Sequence, residues 1–175
     1  MFGLTISLRR YSVVYKLTLS PEQQYGRAKN VIADLLSRQL IVPKVFFEAH
    51  WPGRRDRVDV LAVDRSGSGE LHAVEVRRGR DLKAADVIER LMQVPAHFKY
   101  LALFDNPKNL RPHSRILYSP DGIGRIGIIE VREDTLGNLN ARISVLPERF
   151  KLDSSVYKMV DRFTANYAAV REVRP

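Results

Sequence analysis

The stretch RVDVLAVDRSGSGELHAVEVRRG, residues 57–79, decides how this chain can fold. Valine, leucine and other apolar residues dominate residues 57–63 and 70–77, as expected of β-strands. The segment between them is rich in turn-forming residues, and its tightest closure is a three-residue loop at Ser66-Gly67-Ser68. The stretch therefore predicts a β-hairpin in which Arg65 is paired with Gly69.

The register of this hairpin places two carboxylates opposite each other. Continued from the turn, it pairs Asp59 with Glu75 and Arg57 with Arg77, and all four side chains share one face because strands alternate with period two. Directly opposed side chains have Cβ atoms roughly 4.5–5.5 Å apart, where like charges are destabilising. A divalent cation would relieve the repulsion, since Mg²⁺ is bound by one or two carboxylates together with water and phosphate oxygens. The register therefore predicts a site for Mg²⁺ or Mn²⁺.

A third acid, Glu48, lies in the strand-like segment that precedes the hairpin. If residues 51–54 (WPGR) form a turn with Pro and Gly at its central positions, Glu48 falls opposite Arg57 and on the face of Asp59. Two interpretations stay open. Glu48 either pairs with Arg57 or serves as an auxiliary catalytic or metal-binding residue.

Helical and strand-like segments surround the hairpin in an α/β order. Ser20, Pro21 and Gln23 predict a helix start with an N-cap, a proline at the first helical position and a capping box. A second helix is predicted from about Asp81 to Val94, and a last amphipathic helix near the end of the chain. The other predicted strands are Leu4–Leu8, Ser12–Leu19, Lys44–Ala49, Tyr100–Phe104, Ile126–Val131 and Leu139–Val145. The order predicts one α/β domain over residues 1–175, with a mixed β-sheet flanked by helices and a C-terminal hairpin and helix.

The composition favours an anionic partner inside the cell. The formal net charge is +9, and 21 of the 29 basic residues are arginine, whose planar fork matches phosphate. The chain contains no Cys, which excludes disulfides, thiolate nucleophiles and Cys-based zinc sites. The four histidines, His50, His72, His97 and His113, lack the spacing of a zinc motif. Because no signal peptide or membrane-length apolar segment is recognisable, we expect a cytoplasmic protein with no membrane partner.

Basic residues concentrate beside the predicted acidic pair. They are Arg54, Arg55, Arg57, Arg78, Arg80 and Lys83, in the turn before the Asp59 strand and the loop after the Glu75 strand. Phosphate contacts from such side chains would be independent of base sequence and sensitive to salt. We therefore expect DNA, or alternatively RNA, as the partner. A solvated loop that binds no ligand would have the same composition.

At these residues the chain resembles the PD-(D/E)XK nuclease superfamily, also called restriction-endonuclease-like. The likeness lies in Asp59 of RVDVLAV and in Glu75-Val76-Arg77, which follow a short turn and directly precede a helix. The run FFEAHWPGRRDRVDVLAVDRSGSGELHAVEVRRGRDL is most similar to bacterial DNA-repair members. The resemblance implies a core of a helix, three strands, a helix and a further strand over about residues 20–131. It also implies that Asp59, Glu75 and the Val76 carbonyl hold Mg²⁺ or Mn²⁺ for DNA hydrolysis in repair, recombination or restriction.

One residue departs from that pattern, because Arg77 stands where the superfamily has a lysine. The resemblance implies that the lysine orients the attacking water and stabilises charge on the phosphate. Arginine cannot deprotonate at working pH, but it can stabilise a pentacovalent phosphate, and Lys83 is an alternative source of positive charge. Two functions follow: a magnesium-dependent deoxyribonuclease, or a module of the same fold that binds nucleic acid or protein without cleavage. The sequence leaves the oligomeric state open, a homodimer included.

Residues 122–127, GIGRIG, match the GxGxxG pattern of dinucleotide-binding sites. Such a site needs a strand before the glycines and a helix after them. Here a Ser-Pro-Asp turn precedes the glycines and the strand-like segment IGIIEV follows them. We therefore interpret the motif as a turn that leads into a strand.

Overall fold

The structure is a computed structural model of the 175-residue chain. It describes residues 19–41, 43–50, 57–65, 69–79, 84–104, 125–153, 155–156, 158 and 171–172. The predicted strands before residue 19, the turn at 51–54 and the loop at 66–68 lie outside these ranges, as does most of the last predicted helix.

The described chain folds in the predicted α/β order, with helices on a mixed β-sheet. Its elements are helix α1 (Pro21–Gln39), strands β1 (Pro43–His50), β2 (Arg57–Asp64) and β3 (Glu70–Arg78), helix α2 (Ala84–Gln93), and strands β4 (Phe98–Phe104), β5 (Gly127–Glu133), β6 (Leu139–Val145) and β7 (Arg171–Glu172). In these parts of the chain, no helix is long and apolar enough to cross a membrane.

Helix α1 begins where the capping signals predict. The Ser20 hydroxyl accepts a hydrogen bond from the Gln23 backbone N–H at 3.2 Å, and the Gln23 side chain accepts one from the Ser20 N–H at 2.9 Å. This reciprocal pair satisfies two backbone donors that the first turn would otherwise leave unpaired. The helix ends before Leu40, whose backbone is extended.

The seven strands form one sheet in the order β6-β5-β4-β3-β2-β1-β7. Strands β1, β2 and β3 are antiparallel neighbours, whereas β3, β4 and β5 run parallel to one another. Strands β5 and β6 form the predicted C-terminal hairpin. The carboxyl ends of β3, β4 and β5 therefore lie at the same edge of the sheet.

Each face of the sheet carries its own apolar core. The α1-side core packs buried residues of α1, such as Ile32 and Leu36, against Val60 and Val74 of the sheet. The α2-side core packs Leu91 of α2 and its neighbours against the opposite face. Burial on both faces explains why the central strands read as nearly continuous apolar runs.

The hairpin of β2 and β3 has the predicted register over most of its length. Val63 lies opposite Leu71, and Leu61 lies opposite Ala73. The backbone ladder ends one step before Asp59, so the predicted pairs of Asp59 with Glu75 and of Arg57 with Arg77 are not part of it. On the other edge of β2, Arg57 lies opposite His50 of β1. The predicted site is therefore placed where β2 and β3 cease to pair, rather than within a continuous ladder.

The last glycine of the GxGxxG match, Gly127, is the first residue of β5 and lies in a crowded position. A Cβ atom built there would lie 2.8 Å from Cδ1 of Tyr100 and 2.9 Å from Cδ of Pro147. The two preceding glycines of the match are outside the described residues. Gly127 thus allows β5 to lie close to Tyr100 of β4 and to Pro147 in the segment after β6. As predicted, this glycine leads into a strand.

We predict opposite effects for the same substitution at two glycines. Gly127→Ala should lower the free energy of unfolding by about 1–3 kcal/mol, because the added methyl group overlaps Tyr100 and Pro147. Gly26→Ala should raise it by up to about 1 kcal/mol, because Gly26 is helical and a Cβ there meets nothing within 4 Å. Urea denaturation of both variants checks this, and a loss of stability in both would contradict it.

Candidate active site

Asp59 lies at a local distortion shared by β1 and β2. Along β2, Val58 packs in the α2-side core, whereas Val60 packs in the α1-side core. Residues two apart in a regular strand lie on the same face of the sheet, so the alternation of side chains is broken at Asp59. The position opposite Asp59 is Glu48, whose φ of 49° is the left-handed conformation that non-glycine residues rarely adopt. The pairing keeps one register on both sides, so the distortion reorients these two acids without shifting the strands.

Glu48 does not take its predicted place opposite Arg57. His50 occupies that position, because β1 and β2 are paired so that Ala49 faces Val58 and Glu48 adjoins Asp59. The Glu48 carboxylate forms an ion pair with Lys29 of α1. The predicted partnership of Glu48 with Arg57 is therefore wrong, and Lys29 is its partner.

Glu75 and Arg77 lie near the carboxyl end of β3, on the face that α2 covers. The Glu75 side chain is only 3% exposed, and Nη2 of Arg90 from α2 lies 3.9 Å from its carboxylate. Val76, between them, faces the opposite core. β3 thus presents the Glu75 carboxylate and the Arg77 guanidinium on one face, with the backbone carbonyl of Val76 between them.

The guanidinium of Arg77 connects the predicted metal ligands. Its Nη1 donates to Oδ2 of Asp59 at 3.0 Å and to the carbonyl oxygen of Val76 at 2.6 Å. Its Nη2 donates to Oε2 of Glu75 at 2.7 Å. Three oxygens from two strands therefore face one positive group, although Asp59 and Glu75 are not paired in the backbone ladder.

Asp59 also closes the gap that the end of the ladder leaves. Its Oδ2 accepts a hydrogen bond from the backbone N–H of Val76 at 2.7 Å. The side chain of one strand therefore satisfies a backbone donor of the other, where no ladder pair is formed. This bond fixes the carboxylate beside Glu75 and Arg77.

Lys29 is a site residue that the sequence reasoning missed. Its ammonium pairs with Glu48 and lies 3.7 Å from Oδ1 of Asp59, and its side chain is 15% exposed. The available signal was its position four residues before Ala33 and seven before Leu36, both of which are buried on the apolar face of α1. A lysine on such a face needs an anionic partner nearby.

Burial dominates the electrostatics of Glu75. It raises the pKa of the Glu75 carboxyl to about 7, and the adjacent negative charge of Asp59 acts in the same direction. The positive charges of Arg77 and Arg90 lower this pKa, but they do not cancel the rise. The Glu75 carboxyl thus changes its protonation near neutral pH.

The predicted basic surface is only partly described. Arg54, Arg55, Arg80 and Lys83 lie outside the described residues, and Arg57 is exposed at the start of β2. The prediction that Arg78 contacts nucleic acid is wrong, because its side chain is buried on the α1 side of the sheet. It donates to Gln24 at 2.8 Å, and its guanidinium lies 5.7 Å from the ring centroid of Phe104. Arg78 therefore packs between α1 and β4 instead of facing a ligand.

The donor set of the acidic pair suits Mg²⁺ or Mn²⁺ in its chemistry. Two carboxylates and one carbonyl are oxygen ligands of the kind that these ions prefer, and all three contact a single cationic group. Within the described ranges, no three acidic or histidine side chains converge on one point, so Glu48 does not complete a three-acid set. A metal ion would have to take the place of the Arg77 guanidinium.

Comparisons with known proteins bear on the fold. No protein-family model matches the chain, and no curated protein matches it. Among solved structures, the SPO1766 protein of unknown function from Silicibacter pomeroyi is similar, with a TM-score of 0.58 and 20% sequence identity. The match covers 85% of this chain and 87% of that one. At this identity the likeness concerns the arrangement of helices and strands.

We predict that Glu75 makes the stability of the fold depend on pH near neutrality. Because the folded-state pKa of about 7 exceeds the ordinary value of 4.5, the fold favours protonated Glu75. Its stabilising contribution is complete below pH 4.5 and is lost as the pH rises through 7. Glu75→Gln should therefore gain about 2 kcal/mol relative to wild type between pH 5 and pH 8. Urea denaturation in the presence of a chelator measures this difference.

Glu130 provides a matched control with the opposite sign. Burial acts to raise the pKa of its carboxyl, but hydrogen bonds and charge from Arg142 and Arg132 hold it below the ordinary value. Its stabilising contribution is therefore complete above the ordinary pKa and is lost only in acid. Glu130→Gln should be less stable than wild type by a constant amount from pH 5 to pH 8. A constant difference for Glu75→Gln as well would contradict the prediction.

Proposed function

We propose that this chain is a metal-dependent nuclease that hydrolyses phosphodiester bonds of DNA. The observation that carries the proposal is the convergence of Asp59, Glu75 and the Val76 carbonyl on one positive group. These are the three ligands that the resemblance to the PD-(D/E)XK superfamily assigns to the metal.

The arrangement of α1 to β4 supports the same proposal. Helix α1, the antiparallel strands β1, β2 and β3, helix α2 and the parallel strand β4 follow one another in the order that the resemblance implies. The acids lie on the second and third of these strands, at the edge where β3 to β5 have their carboxyl ends. Ligand sites in open α/β sheets are common at this edge.

The proposed roles follow from the contacts. Asp59, Glu75 and the Val76 carbonyl would hold Mg²⁺ or Mn²⁺. The bound ion would supply positive charge to the phosphate and lower the pKa of a coordinated water. Arg77, once released from the acids, would stabilise negative charge on the phosphate as it is attacked in line. Lys29 would orient Asp59 from the α1 side, as its contact with Oδ1 indicates.

The charge of the chain supports a nucleic-acid substrate. The net charge of +9 favours association with a polyanion, and exposed Arg57 lies two residues before Asp59. Contacts with phosphate release counterions, so binding should weaken steeply as salt is raised. This part of the proposal does not depend on cleavage.

A second function, nucleic-acid or protein binding without cleavage, is favoured by one observation. Arg77 forms ion pairs with both acids, so a side-chain cation already lies where a metal ion would bind. A chain that had lost cleavage would need such an internal partner to keep the buried Glu75 and its neighbour Asp59 in place. The cleavage experiment separates the two functions.

We predict cleavage of DNA in Mg²⁺ or Mn²⁺ that depends on the acidic pair. Linear, nicked, branched and single-stranded DNA are incubated with wild type and with Asp59→Asn and Glu75→Gln. Both substitutions should lower the rate by about 100-fold or more, because each removes a ligand of the ion that stabilises charge at the reacting phosphate.

Glu130→Gln serves as the control, because it removes a similarly buried acid outside the site and should cut at the wild-type rate. If wild type cuts no substrate, or if the Asp59 and Glu75 variants cut as fast as wild type, the nuclease proposal fails. Salt-sensitive DNA binding that persists in those variants would then favour the binding module.

A further inference from the structure

We infer that Arg77 is the resident cation of the acidic pair and competes directly with a divalent metal for the same three oxygens. Metal binding then requires Arg77 to move, and a phosphodiester is the ligand that would hold it in its new position. The second half of this inference rests on the proposed function, whereas the competition does not.

Direct competition follows from the hydrogen-bond geometry. The guanidinium nitrogens lie 2.6–3.0 Å from Oδ2 of Asp59, the Val76 carbonyl oxygen and Oε2 of Glu75. Mg²⁺ would need oxygens at about 2.0–2.1 Å. A metal ion at that distance from the three oxygens overlaps the volume of the guanidinium, so the two cations exclude each other.

The neighbouring cations do not occupy this position. Lys29 approaches the other carboxylate oxygen of Asp59, at 3.7 Å, and Arg90 lies 3.9 Å from Glu75. Each contacts one of the two acids at a distance beyond a hydrogen bond, and each comes from a helix on a different side of the sheet. Only Arg77, among the described residues, bridges both acids.

Burial explains why Arg77 does not leave without a replacement. The Glu75 side chain is 3% exposed, so removing its cation would leave an almost buried charge unpaired. Another cation must therefore take the place of Arg77. The arginine in turn needs an anion outside the pair, and phosphate accepts its two parallel N–H groups. The exchange therefore links metal binding to phosphodiester binding.

Linkage of this kind is reciprocal and can be measured without catalysis. If the phosphodiester removes Arg77 from the acids, it raises the affinity for metal by the same factor by which metal raises the affinity for the phosphodiester. Removing the guanidinium by mutation should have a similar effect on the metal. It should also abolish the linkage.

The test is titration of Mn²⁺ into the full chain, followed by calorimetry and by electron paramagnetic resonance of free Mn²⁺. Arg77→Met should bind Mn²⁺ roughly 5- to 100-fold more tightly than wild type, the usual range of coupling between two sites. Arg142→Met is the control for the loss of one arginine charge. Arg142 pairs with Glu130, outside the acidic pair, so the Mn²⁺ affinity of this variant should stay within about threefold of wild type.

A second variant keeps the test valid if Arg77→Met does not fold. Arg77→Lys keeps the charge, but its single nitrogen cannot bridge both acids and the carbonyl, so it too should bind Mn²⁺ more tightly than wild type. Far-ultraviolet circular dichroism and thermal unfolding identify the variants that are folded. The double variant Asp59→Asn/Arg77→Met should lose the tight site.

The linkage is tested by repeating the titrations with a saturating short DNA duplex, after subtraction of Mn²⁺ binding by the DNA alone. The duplex should tighten Mn²⁺ binding to wild type and leave Arg77→Met unchanged. Equal Mn²⁺ affinity of wild type and folded Arg77 variants overturns the inference, as does equal tightening of Mn²⁺ binding by Arg142→Met. The result is independent of cleavage: tight binding by the Arg77 variants without any cleavage supports the competition while the nuclease proposal fails.

Discussion

A buried carboxylate beside a second, partly buried one requires a compensating positive charge, and the structure around Glu75 and Asp59 follows from this requirement. In a low-dielectric interior, the second negative charge is either neutralised by a proton or paired with a cation. Both responses are visible here. Arg77 bonds to both acids, and the pKa of Glu75 is nevertheless raised to about 7 by its burial and by Asp59. Strongly shifted pKa values of this kind are common at functional sites.

The rest of the fold brings the required charges to this point. Helix α1 supplies Lys29 from one face of the sheet, and α2 supplies Arg90 from the other. The pairing of β1 with β2 is distorted at Glu48, whose left-handed backbone is costly for a non-glycine residue. The distortion turns Glu48 toward Lys29 and Asp59 toward β3, and the contacts made there offset this cost. Apolar packing on both faces holds the helices and strands that carry these residues.

Short-range rules were enough to predict the frame of the site. Capping residues predicted the start of α1 correctly. The three-residue loop assumed at 66–68 predicted the register of β2 on β3 correctly as far as Val60 and Val74. The same rules could not predict the end of the ladder. That end depends on the side chain of Asp59 bonding the Val76 amide, a contact that no periodicity encodes. The position of Glu48 was mispredicted because an assumed turn at 51–54 set β1 two residues out of place on β2.

Contacts between elements far apart in sequence were the least predictable. Lys29 is thirty residues before Asp59 and belongs to a helix, so its place in the site depends on how α1 crosses the sheet. Arg78 was grouped with Arg77 by sequence, but alternation along β3 sends it to the opposite core, where aromatic side chains enclose it. The sequence predicts that side chains alternate between the two faces of β3. It does not predict that Tyr25 and Phe104 cover the α1 face at this end of the strand.

The most direct test of a cation site held by Arg77 is anomalous scattering from crystals soaked in Mn²⁺, for wild type and for Arg77→Met. The account predicts a manganese peak bonded to Asp59, Glu75 and the Val76 carbonyl in the variant. In wild type, the peak should be found only where Arg77 has turned away from the acids. A variant without a peak at these oxygens, or a wild-type peak there with Arg77 still bonded to both carboxylates, would contradict the account.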